Sequence, residues 1–319
     1  MTSEKTPEKT AVRTERARLA TAGARAVVES SLTSGSPRGK ILGQVFLAVM
    51  LLAIAVAVTV LVGMILWAAI KGWPRLDANL FFNPPSTINR DTAGFRPAII
   101  GTVYIISGVI LLIVPIGVAA AVYLEEYADK TNWFNRLMEL NIQNLAGVPS
   151  IVFGILGLAF IVRGPISMGF VAAAGSITLA MLVLPTVIIT AREAIKAVPS
   201  SIRDASLGLG ATEWQTISRQ TLPIALPGIL TGVILAVARA IGEAAPLLLV
   251  GATTFVTFNP QFFEGGYTAM PVLIYNYIQR PQEEFHILAA AGVIVMLAVL
   301  LAMNSFAIWL RNHYTKELS

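Results

Sequence analysis

From residue 41 to residue 70 the chain carries no charged side chain. A helix of that length, at about 1.5 Å per residue, is longer than the roughly 30 Å hydrocarbon core of a bilayer. Five more apolar runs follow, at 98–124, 141–162, 166–190, 224–250 and 287–310. In lipid every backbone N–H and C=O must be paired inside the protein, so runs of this length are helices. Hydrophobic residues make up 55% of the 319-residue sequence and charged residues 13%, which fits an all-α integral membrane protein of six transmembrane helices. Residues 41–319 form the membrane domain. Residues 1–40, with eight Lys or Arg against four Glu and few large apolar side chains, cannot build a core and read as a disordered basic arm. The run after that arm is too long for a secretory signal.

Lys and Arg number 8, 2, 4 and 2 in the amino-terminal arm, the 125–140 loop, the 191–223 loop and the tail, against 4, 1 and 1 in the three opposite loops. The positive-inside bias therefore puts both termini and the 191–223 loop in the cytoplasm. The net charge of +5 reflects those loops and gives no reason to expect nucleic acid.

Several chemistries are excluded. With no cysteine and only His286 and His313, the chain offers no thiol nucleophile and no metal site. There is no HExxH, no GxSxG and no cluster of intramembrane acids. Gly39-Lys40-Ile41 lacks the earlier glycine and the hydroxyl of a phosphate-binding loop, so ATP is not bound by that route. No catalytic residue and no cofactor is expected.

The 191–223 loop is polar but rich in helix punctuation. Pro199 ends the incoming helix, and Ser200 or Ser201 is placed to cap a short one carrying Ile202, Ala205 and Leu209 on one side. Gly210 stops it. Thr212 and Gln215 have capping-box spacing for a second short helix with Trp214 and Ile217 three apart, and Pro223 opens the next apolar run. A solvated linker has no reason to present these apolar side chains; a docking platform for a soluble partner does. The order Asp204, Ala205, Ser206, then Gly210, then Leu222 and Pro223 resembles the loop of ABC importer permeases: Glu-Ala-Ala, three residues, Gly, nine residues, Ile, any residue, Leu-Pro. Asp204, Ser206 and Gln220 depart from that pattern.

Two ionisable residues, Arg239 and Glu243, fall inside the 224–250 run, four apart and hence on one helix face. A lone charge at mid-membrane costs roughly 2.5–3.5 kcal/mol on insertion scales, so each needs a partner or a polar cavity. Two readings stand side by side. The pair neutralises itself, or it lines a pathway with the Arg239 fork facing an oxyanion and Glu243 holding or releasing it. Gly242 and Pro246 are expected to admit close neighbours and bend the helix. The 141–162 run opens with Asn141, Gln143 and Asn144, an unusual polarity for the start of a span.

ARAIGEAAPLL at 238–248, NIQNLAGVPSIVFGILGL at 141–158, VYLEEYA at 122–128 and REAIKAVPSSIRDASLGLGAT at 192–212 resemble the phosphate-specific ABC importer permeases of the PstA type. The resemblance covers most of residues 98–310 and leaves out the amino-terminal arm. It implies a type I, MetI-like permease of a bacterial plasma membrane with short cytoplasmic coupling helices. A homologous PstC-type permease, two ATPase subunits and an extracytoplasmic phosphate-binding protein are its implied partners. It also implies that Arg239 and Glu243 serve phosphate passage, and that Asp204, Ala205, Gly210, Thr212, Trp214, Leu222 and Pro223 serve ATPase coupling. A permease for molybdate or sulfate, or a membrane transporter without an ATPase, are the alternatives.

Overall fold

The computed structural model describes residues 37–129, 131–252 and 256–317. Most of the amino-terminal arm lies outside the described residues. Among those described, the secondary structure is helical, with one isolated bridge between Ala252 and Tyr267. The helices are α1 (Pro37–Gly72), α2 (Ala78–Phe82), α3 (Arg96–Val122), α4 (Trp133–Ala146), α5 (Ser150–Leu156), α6 (Ala172–Lys196), α7 (Ser200–Gly208), α8 (Glu213–Thr216), α9 (Leu222–Gly242), α10 (Ala245–Leu249), α11 (Met270–Ile278) and α12 (Glu283–Glu317). Two units divide the chain, Met1–Ile65 and Leu66–Ser319. Most of α1 belongs to the first.

In the second unit α6 is the central column. Leu179 and Val183 of α6 are buried with Val109 and Ile113 of α3 and with Ala236 and Val237 of α9. Small residues set the closeness of these helices. A Cβ on Gly228 would stand 2.6 Å from the Ala194 Cβ, and one on Gly232 would overlap the Thr190 hydroxyl, so the GxxxG spacing of α9 serves packing against α6.

Among the described residues, five stretches are long and apolar enough to cross a bilayer, namely Ile41–Arg75, Arg96–Tyr127, Ala172–Lys196, Glu213–Gly242 and Glu283–Phe306. The expected span at 141–162 is not one straight helix. Trp133–Ala146 and Ser150–Val162 meet at a bend of 109°. The cause is Gly147-Val148-Pro149: proline has no N–H to give and drives the residue before it out of helical geometry. The Ser150–Val162 arm amounts to about 20 Å at 1.5 Å per residue, less than a hydrocarbon core. The next helix starts at Ala172 and not at residue 166, because residues 163–171 form a wider turn with Ser167 and Gly169 at positive φ.

Helix α11 is too short to cross, and most of its residues are buried in protein. Its first N–H is donated to the Thr102 hydroxyl of α3 at 2.9 Å, and Tyr277 lies between Phe95 and Phe285 with ring centroids 5.3 and 5.4 Å away. Three π-helical turns, Tyr123–Tyr127, Gly157–Val162 and Ile217–Thr221, extend α3 and α5 and join α8 to α9.

Candidate functional site

Helix α9 ends at Gly242. Glu243 is extended (φ −82°, ψ 113°) and α10 begins two residues on, so Glu243 caps the helix and does not share a helical face with Arg239. The break explains itself locally. Pro246 is the second residue of α10, where its missing N–H costs nothing. Arg239 Nε stands 3.5 Å from Glu243 Oε1, its one ion pair among the described residues. The rest of the guanidinium makes no hydrogen bond among the described residues. The Arg239 side chain is 43% exposed, and Leu235, Arg239 and Gly242, spaced by one turn each, form an open face of α9. A Cβ on Gly242 would meet nothing within 4 Å, so this glycine admits no close neighbour within the chain. Placed in the last turn of α9, Arg239 also lies near carbonyl oxygens whose partial negative charge favours a cation.

Beyond the break, the bent element packs on α10. Gly154 of α5 lies so close to α10 that a Cβ there would be 2.8 Å from both Pro246 Cα and Leu249 Cδ1, and one on Gly157 would be 2.8 Å from Val250. Asn141, Gln143 and Asn144 are elsewhere, exposed on α4, with the Asn141 amide donated back to the Leu137 carbonyl at 2.8 Å. Among the described residues no hydrogen bond joins them to Arg239 or Glu243. They lie on an amphipathic helix before the bend.

The 191–223 loop folds as two short helices. Pro199 occupies the N-cap of α7 and no side chain caps that helix, so neither Ser200 nor Ser201 has the expected role. Its other end is closed by two bonds: Gly210 N–H donates to the Leu207 carbonyl at 2.9 Å and Ala211 N–H to the Ser206 carbonyl at 3.2 Å. That crossed pair needs a left-handed residue between, and Gly210 has φ +87°. Thr212 and Gln215 exchange both capping-box bonds, at 2.9 and 3.2 Å. Helix α8 then runs through its π-turn into α9, with Pro223 the second residue of that helix; the wide turn absorbs the ring that an α-helical turn would reject.

Asp204 and Ala205 are exposed on α7, as is Trp214 on α8, and Leu209 at the tip is 91% exposed. Ile202, Ala205 and Leu209 line a cleft of about 550 Å³ with Gln215 and Arg219. Leu222 is half-buried and packs with Ala191, Ile195 and Ile217. The loop thus shows apolar side chains to water from two helices whose ends are fixed by hydrogen bonds.

Residues 113–318 match the family model described as "Binding-protein-dependent transport system inner membrane component". The chain belongs to this family. Over 227 residues it is 34% identical to "Phosphate transport system permease protein PstA 1" of Mycobacterium tuberculosis, covering 70% of this chain and 72% of that protein. Over 251 residues it is 33% identical to "Phosphate transport system permease protein PstA" of Yersinia pestis, covering 77% and 82%. Among solved structures, an inward-facing form of the MetNI methionine ABC transporter superposes with a TM-score of 0.53 at 16% identity, over 67% of this chain and 91% of that one. The last likeness bears on fold alone, an all-helical, MetI-like architecture; the family and the permease relatives make the chain a multi-pass inner membrane component of the transport class rather than an enzyme.

Sequence reasoning passed over the charges that hold this inner membrane component together at the loop end. Glu125 and Glu126, in the π-turn after α3, pair with Arg192 and Arg203. Two adjacent carboxylates closing an apolar run were the available signal.

Proposed function

We propose that the chain is the membrane-spanning permease of an ATP-driven inorganic phosphate importer. The observation that carries this reading is Arg239: a fork-shaped cation at a helix break in a membrane segment, touched only loosely by Glu243 and open on one face. A self-neutralising buried pair would be expected to close on both nitrogens at hydrogen-bond distance, as Arg203 does on Glu126. Phosphate offers an arginine two oxygens at once, which supports an anion rather than a cation or a neutral substrate. The names of the relatives support phosphate among the oxyanions. Vesicles carrying the complex isolated through this chain should accumulate phosphate only when ATP is hydrolysed; ATP hydrolysis with no accumulation would contradict the proposal.

The partners follow from what the chain lacks. It has no phosphate-binding loop, so a separate ATPase, in two copies, supplies the energy at α7 and α8, through Asp204, Ala205, Gly210, Thr212, Trp214, Leu222 and Pro223. The open face of α9 supports a second permease across the pathway, of the PstC type, and an extracytoplasmic phosphate-binding protein delivers the substrate. Both termini and residues 191–223 face the cytoplasm on the loop-charge count. A reporter active only in the cytoplasm should work when fused after Ser319 or within 125–139 and fail within 75–95. Activity at 75–95 would overturn the orientation.

A further inference from the structure

Helix α7 has no buried residue. A helix of nine residues that packs so little cannot hold its position by the hydrophobic effect, yet a coupling element must transmit displacement without slack. What holds it is mainly one side chain. Arg203 donates from Nε and Nη2 to the Glu126 carboxylate, at 3.1 and 2.7 Å to Oε1. Its Nη1 donates to the Val198 carbonyl at 2.7 Å, and Nη2 also to the Ile195 carbonyl at 2.9 Å. The guanidinium therefore joins three things: the helix that carries it, the π-turn at the end of α3, and the carboxyl end of α6, whose terminal carbonyls favour a cation. Both partners are largely withdrawn from water, Arg203 at 21% and Glu126 at 11% exposure, so the pair is not a screened surface contact.

The neighbouring carboxylate extends the connection. Glu125 accepts from Arg192 Nε of α6 at 2.9 Å, and Arg192 Nη1 reaches Glu139 of α4 at 2.6 Å. A π-turn is wider than an α-turn, and here two consecutive glutamates, Glu125 and Glu126, reach two different helices, α6 and α7. The loose secondary attachments of α7 are a hydrogen bond between the Ser206 and Thr216 hydroxyls at 2.9 Å and the half-buried Ile202.

We propose that Arg203 is the positioning residue that makes α7 move as one body with α3 and α6, so that force applied to α7 reaches the membrane helices. This rests on the reading of α7 as a coupling helix in an ATP-driven importer. Arg203→Ala, made in the full chain and isolated with its partner subunits, separates the role from general support of the fold. Two quantities are read: amide hydrogen exchange over residues 200–211, and phosphate carried per ATP hydrolysed. Loss of a charged clamp of several bonds should speed exchange in that peptide by about tenfold or more, with exchange in α9 and α12 unchanged. The phosphate carried per ATP should fall by a similar factor, about tenfold, while hydrolysis continues.

Glu126→Gln keeps the shape and removes the charge, and should give a smaller change of the same kind; it stands in if Arg203→Ala does not insert. Arg203→Lys keeps the charge toward Glu126 but cannot also reach two carbonyls, and should fall between. Unchanged exchange over 200–211, or hydrolysis and uptake falling in proportion, would overturn the proposal. Should the unaltered complex carry no phosphate, the substrate reading fails, and the exchange rates still decide for or against the clamp.

Discussion

The double variant Arg239→Met with Glu243→Gln is expected to assemble, bind its ATPase and hydrolyse ATP, and to carry almost no phosphate. Removing both charges leaves no stranded ion in a low-dielectric region, so folding is spared, whereas removing either alone leaves the other uncompensated. If the two residues merely neutralise each other, the double variant should transport nearly as well as the unaltered chain. The structure already weakens that alternative. Contact is through one nitrogen at 3.5 Å, Glu243 lies beyond the end of α9, and the last helical turn itself favours the arginine. Arg239→Lys is the finer probe, because it keeps the charge and loses the planar fork. Bidentate contact with an oxyanion predicts a severe loss of uptake, and a simple charge role a mild one.

The second large effect is expected at Gly210→Val. Nothing lies within 4 Å of a Cβ at this position, so the objection to valine is conformational and not a clash with neighbours. At φ +87° a β-branched residue is strained by about 1–3 kcal/mol, and relief means giving up the two bonds that close α7. The variant should insert and reach the membrane in normal amounts but fail to recruit the ATPase or drive uptake. Gly210→Asn, which tolerates the left-handed region, should retain much of the function. Normal uptake by Gly210→Val would mean that the loop is a linker.

What the sequence made legible follows from how local each determinant is. The long spans were legible because an uncharged run in lipid has one solution, and the Gly210 stop and the Thr212–Gln215 box because caps are written in a few adjacent residues. The bend at Gly147-Val148-Pro149 was obscured by the apolar residues after it, although Asn141, Gln143 and Asn144 marked the segment before it as polar. Arg239 and Glu243 stood out as charges in an apolar run. A bend at Gly242 and Pro246 was expected, but not the outright end of the helix between the two charges, since Ala and Glu are good helix formers and Pro246 is tolerated where it stands. Arg203 and Glu126 are 77 residues apart, and nothing in a single sequence pairs them. That contact exists only because α3 and α6 pack along their length and bring their ends together.

Phosphate uptake under competition tests the central claim most directly. The complex isolated through this chain is placed in vesicles with ATP inside and the binding protein and labelled phosphate outside. ATP-dependent accumulation of phosphate, little affected by a large excess of sulfate or molybdate, is the predicted result. Accumulation of sulfate or molybdate in preference to phosphate, or accumulation independent of ATP, would contradict it.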